Sequence, residues 1–144
     1  MPDPKTIAQP VYLVDEDGNM VASAIRPNVF KNAFSASVGN TAVWVPSATK
    51  KFRLMRYYIA ISGNSIINLG GLLTVKLLDG VLDIGQNHRF YLPALALGGY
   101  APDTPWIDLG NGIVSSNVNN TLNLNLSANI IGGVVNVICI GREE

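Results

Sequence analysis

The sequence predicts an all-β protein, an antiparallel β-sandwich with jelly-roll-like connections and an extended N-terminal arm. Residues 121–127 alternate between leucine and the polar residues Thr, Asn and Ser, which gives a strand one apolar and one polar face. About eight to ten short strand candidates follow one another, separated by turn signals roughly every ten residues. No segment shows helical periodicity over three turns, so we expect a sandwich without a helical layer.

The 144 residues are enough for one domain with a substantial core and too few for two. Prolines in residues 1–10 predict an extended arm, since proline fixes its own backbone angle and disfavours helix before it. Residues 11–144 are predicted to form a single β-sandwich domain that begins with a hairpin over 11–25, around an acidic Asp-Gly turn. The arm is either a disordered tail or an anchor that orders on a partner. The candidate anchor residues are Pro4, Ile7, Pro10 and Tyr12.

Residues 29–37 leave two structures open. Phe30 and Phe34 lie four residues apart, which suits one helical turn or a strand with both rings packed on the core. The remaining strand candidates are 41–45, 52–62, 72–79, 81–84, 88–93, 106–109, 121–127 and 134–140. A turn is expected at Asn111-Gly112, immediately after the strand that contains Trp106.

Residues 52–62 form the longest strand candidate. Strict alternation divides it into two faces, one with Phe52, Leu54, Arg56, Tyr58 and Ala60, the other with Arg53, Met55, Tyr57, Ile59 and Ile61. Both faces are largely apolar, so we expect a central strand that is at least partly covered on both sides.

The composition favours a protein that associates with other subunits. Hydrophobic residues make up 48% of the chain and charged residues only 14%, well below the usual quarter. Much of the surface must therefore be Asn, Ser, Thr, Gly and apolar side chains. Such a surface suits burial against other subunits, although a monomer with a neutral polar surface is the alternative.

The charge and cysteine content argue against several other classes. The formal net charge is zero, which offers no field to attract nucleic acid or an anionic membrane. A single cysteine permits no intrachain disulfide, which fits synthesis in a reducing cytoplasm. The first residues lack a signal-peptide pattern, and the longest apolar region, 66–78, is too short and too polar to span a bilayer.

No residue pattern in the sequence indicates a catalytic site. His88 is the only histidine, and there is no Gly-x-Ser-x-Gly motif for a Ser-His-Asp triad. Cys139 lies in an apolar strand, where a thiol behaves as a small buried hydrophobe, and one Cys with one His is too few for zinc. Aspartates 79, 83, 103 and 108 stand beside turns, which is their ordinary position. We therefore expect no enzyme, no catalytic residue, no metal and no cofactor.

Three aromatic residues are candidates for sugar binding: Trp44, Tyr100 and Trp106. Trp106 is the best of them, because Asp103 and Asp108 flank it in the sequence. The candidate glycan platform is thus Tyr100, Asp103 and Trp106. The alternative is that both tryptophans pack the ends of the sandwich.

From about residue 50 onward, several segments carry a resemblance to a known class of proteins. These are KKFRLMRYYIAISG, LTVKLLDG, DLGNGI, LNLNLSA and the ending GVVNVICIGREE, together with VYLVDEDGNMV near the start. In these segments the chain resembles small β-sandwich structural proteins of tailed bacteriophage virions.

The resemblance implies a non-enzymatic virion component, above all a capsid decoration (cement) protein. Such a protein would form a homo-oligomer, with a trimer favoured, and clamp neighbouring subunits of the major capsid protein. It would be made in the host cytoplasm and lie on the capsid surface of the virion. The alternatives are a receptor-binding, glycan-binding fibre-tip module and a tail or neck adaptor.

Overall fold

The computed structural model describes residues 26–95 and 101–144. The predicted arm over 1–10 and the hairpin over 11–25 lie outside the described residues, as do Pro4, Ile7, Pro10, Tyr12 and Tyr100. The described residues form strands and connecting turns without a helix. The strands are β1 (Val29–Ser35), β2 (Gly39–Trp44), β3 (Phe52–Ile61), β4 (Gly71–Asp79), β5 (Leu82–Asp83), β6 (His88–Leu92), β7 (Ile107–Val114), β8 (Leu122–Leu126) and β9 (Val135–Glu143).

The strands form two antiparallel sheets, which confirms the predicted all-β class. One sheet has the order β1-β9-β3-β7, and the other has the order β2-β8-β4-β5 with β6 also paired to β4. Their inner faces share a single hydrophobic cluster, so the two sheets pack on each other as a β-sandwich. Jelly-roll connectivity and the N-terminal arm stay predictions.

The core is built from alternating side chains, as the leucine pattern of β8 predicts. Leu122, Leu124 and Leu126 are all buried, while Asn123 and Asn125 between them are partly exposed. Trp44 and Phe52 close one part of the cluster, with ring centroids 5.8 Å apart. Each fully buried large side chain contributes on the order of 1.5–3 kcal/mol, so this cluster is the main source of stability.

Strand β3 departs from the predicted strict alternation. Leu54 pairs with Gly141 of β9, and Arg56 pairs with the next residue, Ile140, so that Met55 is an extra residue in β3. This β-bulge reverses the faces beyond it: Tyr57 is buried, and Arg56 is exposed. The prediction that Arg56 shares the face of Phe52 and Leu54 is therefore wrong. The prediction that β3 is central is confirmed, since it lies between β9 and β7.

Two other expectations need correction. Val29–Ser35 is a strand, and Phe30 and Phe34 are 63% and 58% exposed, so neither a helical turn nor packing of the rings on the core is found. The turn expected at Asn111-Gly112 does not end its strand, because β7 continues to Val114. Opposite Met55 the pairing with β3 jumps from Asp108 to Ile113, and Gly112 in the unpaired stretch between them takes a positive φ of 85°.

Glycines on both neighbouring strands make room for the bulge. A Cβ on Gly112 would lie 2.8 Å from the backbone oxygen of Leu54, and a Cβ on Gly141 would run into the backbone oxygen of Arg53. Neither neighbour is the end of a flexible side chain, so the backbone itself would have to move.

We expect Gly141→Ala to lower the free energy of unfolding by on the order of 3 kcal/mol, measured by urea denaturation. The matched control is Gly85→Ala, whose Cβ would meet only the Tyr57 hydroxyl at 3.7 Å and should change stability by less than about 0.5 kcal/mol. Equal stabilities for the two variants would contradict the close approach of β9 to the bulge.

Candidate functional site: the outer face of the four-stranded sheet

The outer face of the β1-β9-β3-β7 sheet carries apolar, aromatic and charged side chains together. The strand register sets its side chains in three rows. The rows are Phe30, Ile140, Arg56 and Asp108; then Asn32, Ile138 and Tyr58; then Phe34, Asn136, Ala60 and Asp103. Trp106, the residue before β7, extends the second row because its ring packs on Tyr58.

The β1 and β9 side of this face is apolar, and we call Phe30, Phe34, Ile138 and Ile140 the apolar half. The two phenylalanines are more than half exposed on the edge strand, and the two isoleucines beside them are half-buried. Sequence reasoning missed this surface. Both faces of 29–35 carry apolar side chains, so the alternation alone does not indicate which face meets the core.

The β3 and β7 side of the face carries aromatic and charged groups, and we call Tyr58, Trp106, Arg56, Asp103 and Asp108 the aromatic shelf. The Tyr58 and Trp106 ring centroids are 5.5 Å apart, with the ring planes inclined by 35°. The Arg56 guanidinium carbon lies 5.4 Å from the Trp106 ring centroid, within cation–π range. Trp106 remains 43% exposed, so part of the indole is open to a ligand.

Asp103 is fixed on the shelf by the strand next to it. The Tyr58 hydroxyl donates to Asp103 Oδ2 at 2.6 Å, and this hydrogen bond raises the pKa of Tyr58. The backbone around Asp103 is bonded to β3 on both sides: the amide of Ile61 donates to Pro102, and the amide of Thr104 donates to Ile59. The carboxylate therefore stands on an ordered backbone rather than on a free loop.

Arg56 and Asp108 complete the shelf at its solvent side. Arg56 Nε and Asp108 Oδ2 are 3.7 Å apart, and both side chains are largely exposed. Such a pair contributes about 0–1 kcal/mol to stability. Its effect is to place one cation and one carboxylate beside the Trp106 ring.

The structure brings together two of the three predicted platform residues. Asp103 and Trp106 both contact Tyr58, by a hydrogen bond and by ring packing respectively. Tyr100 lies outside the described residues. The packing alternative holds for Trp44, which is fully buried and donates to Glu143 Oε1 at 3.0 Å, but not for the exposed Trp106. Tyr58 was missed because the count of alternating residues ran through the bulge at Met55.

The outer face of the other sheet is polar over β2 and β8, while the paired strands β4 and β6 expose Leu72 and Tyr91 on it. Asn125 Nδ2 donates to Asn40 Oδ1 at 2.6 Å, across the β2–β8 pair. Lys76 on β4 pairs with Asp83 at 3.2 Å. One outer face therefore presents the apolar half and the aromatic shelf, and the other combines amides and charged groups with the exposed pair Leu72 and Tyr91.

His88 and Cys139, the histidine and the cysteine of the chain, are packed into the fold. His88 Nε2 lies 2.8 Å from the Tyr57 hydroxyl, and burial lowers the pKa of His88. Cys139 is buried, which raises the pKa of its thiol to about 12. Within residues 26–95 and 101–144, no group of three or more His, Cys, Asp and Glu side chains is placed to hold a metal ion.

Asp79 is a buried carboxylate that ties the end of β4 to the loop before β8. It accepts hydrogen bonds from the Ser116 amide, the Ser115 hydroxyl and Asn120 Nδ2 at 2.6, 2.7 and 3.0 Å. Burial acts to raise the pKa of Asp79, but these hydrogen bonds outweigh it and hold the pKa below its ordinary value. The Asp79 carboxylate therefore has a structural role.

Comparison with known proteins places the chain in no family. Searches of protein-family models, of curated proteins and of solved structures found no match. In the part of the chain that the structure describes, no helix is long and apolar enough to cross a membrane.

We expect Asp79→Asn to destabilise the fold by on the order of 2–3 kcal/mol, because the new amide would turn a donor towards existing donors. The wild-type contribution of Asp79 should be present above the unfolded pKa of about 4 and be lost as pH falls through the lower folded pKa. Urea denaturation across this pH range measures both effects. Asp83→Asn, an exposed carboxylate on the next strand, is the control and should cost less than about 1 kcal/mol.

Proposed function

We propose that this chain is a non-enzymatic structural protein of a phage virion, a capsid decoration protein that clamps neighbouring subunits of the major capsid protein. The resemblance of its segments to tailed-phage virion proteins supports the class. The observation that carries the proposal is the apolar half, where Phe30 and Phe34 stand exposed beside Ile138 and Ile140. Exposed aromatic side chains gathered on one side of a sheet are typical of a surface that another protein covers.

The same face also contains a buried acceptor, which does not itself indicate a partner. The side-chain oxygen of Asn136 lies between Phe34 and Ala60 in its row and accepts no hydrogen bond within the described residues, but the chain itself already shields it from solvent, so a partner's donor could not reach it without a local movement.

The two faces of the sandwich suit a protein that lies on a shell. The apolar half would meet the capsid, and the β2–β8 part of the other sheet, with Asn40 and Asn125, would stay towards water. A ligand that binds assembled shells better than free subunits stabilises the assembly by linkage. A homo-oligomer, the trimer that the resemblance implies, would repeat this contact at each joint between subunits on the capsid surface.

The test is co-sedimentation of the purified chain with purified capsid shells. Ile140→Lys places a charge in the apolar half and should weaken shell binding by at least about 10-fold, because the charge would have to be desolvated at the contact. Ala42→Lys adds the same charge to the exposed outer face of the other sheet and should leave binding unchanged. Melting temperatures of both variants verify that they fold.

The outcomes separate the proposed partners. Equal binding by the two lysine variants would reject the apolar half as the contact. Failure of the wild-type chain to bind shells would reject the decoration role, and binding to isolated tails instead would favour the tail or neck adaptor.

The predicted anchor is tested by deleting residues 1–10, which removes Pro4, Ile7 and Pro10. We expect weaker shell binding with an unchanged melting temperature, because an arm that orders on a partner adds contact area only in the complex. Tyr12→Ala in the full-length chain serves as a second, less disruptive variant. Shell binding by the truncated chain at full strength would reject the anchor.

A further inference from the structure

We propose that the aromatic shelf is a binding site for a neutral hexopyranose sugar, stacked on Trp106 and hydrogen-bonded to Asp103 and Asp108. This inference does not rest on the capsid role, since the shelf occupies the β3 and β7 side of the sheet rather than the apolar half. The sequence already places Asp and Trp residues together at 103–108. The fold adds Tyr58 and Arg56 to them from β3.

Trp106 supplies the apolar surface that a sugar ring needs. Its indole is 43% exposed, whereas the other tryptophan, Trp44, is fully buried. Tyr58 and Arg56 brace it, with the Tyr58 ring at 5.5 Å and the Arg56 guanidinium at 5.4 Å from its centroid. A sugar presents a face of C–H groups that can lie on an aromatic ring, so a braced and open indole offers stacking at little cost in side-chain entropy.

The carboxylates supply acceptors for sugar hydroxyl groups. Tyr58 occupies one oxygen of Asp103, and within the described residues no hydrogen bond reaches the other. Asp108 Oδ1 accepts the Gly110 amide at 2.9 Å, and its Oδ2 faces Arg56. A carboxylate accepts hydrogen bonds strongly, and Arg56 offers further donors. Because Asp108 and Asp103 lie opposite Arg56 and Ala60, on either side of Trp106, they would bind hydroxyl groups at opposite ends of the stacked sugar.

The charge of the shelf selects against acidic sugars. It contains one cation, Arg56, and two carboxylates, Asp103 and Asp108, which gives a formal charge of −1 at neutral pH. A uronic or sialic acid would bring its own carboxylate against them, and the nearby cation is already paired with Asp108. A neutral hexose avoids this repulsion.

The experiment is ligand-observed saturation-transfer NMR on the full-length chain, with lactose, cellotriose and maltotriose as neutral probes and 3′-sialyllactose as the acidic comparison. We expect saturation transfer from at least one neutral probe, with a Kd on the order of 1 mM, and a weaker signal from sialyllactose than from lactose. Trp106→Ala should raise the Kd by at least about 10-fold. Tyr58→Phe, which keeps the ring but frees Asp103, should raise it by a smaller factor.

Phe34→Ala is the matched control, an exposed aromatic residue on the same sheet face but in the apolar half. It should bind the sugar as the wild-type chain does. The indole signal of the buried Trp44 reports in each variant that the core is intact. Absence of saturation transfer from every neutral probe, full binding by Trp106→Ala, or equal loss in Phe34→Ala would overturn the proposal.

Discussion

The β-bulge at Met55 is the constraint on which both faces of the central strand depend. Before it, Phe52 and Leu54 point into the core; after it, Tyr57 and the residues that alternate with it do so. If Met55 were part of a regular alternation instead of an extra residue, Arg56 would point into the space between the sheets, where an unpaired charge is very costly. Gly141 and Gly112 make the bulge possible, because a side chain on either would meet β3 backbone.

The same bulge creates the aromatic shelf, because it turns Arg56 and Tyr58 outward onto one surface with Trp106 and Asp103. Bulges near functional surfaces commonly re-aim side chains in this way. The packing of the core and the arrangement of the aromatic shelf therefore both depend on the extra residue, Met55. A change that straightened β3 would damage the core and dismantle the aromatic shelf together.

The strands can be predicted from the sequence, but the bulge cannot. Strand β8 is predicted correctly because one of its two faces consists of leucine alone. Strand β9 is predicted correctly because its centre is apolar on both faces. The sequence does not mark Met55 as an extra residue. A bulge is recognised only when the residues on either side of it are known to pair with consecutive residues of the next strand. The Tyr58–Asp103 bond joins residues 45 positions apart and depends on the order β3-β7. The exposure of Phe30 depends equally on topology, because it reflects which face of β1 the second sheet covers.

The two proposals share one sheet face, and its dimensions decide how they relate. Strands lie about 4.8 Å apart, so β1 and β7 are separated by about 14 Å, while a standard protein interface of about 800 Å² per partner is roughly 28 Å across. A partner centred on β9 would therefore cover Trp106 and compete with a sugar. A partner centred on the edge strand β1 would still reach about 14 Å inward, over β3 and as far as β7, so only a partner centred beyond that edge would leave the shelf open. Competition or independence of the two ligands thus reports where on the face the protein partner lies, since coupling between two sites is reciprocal.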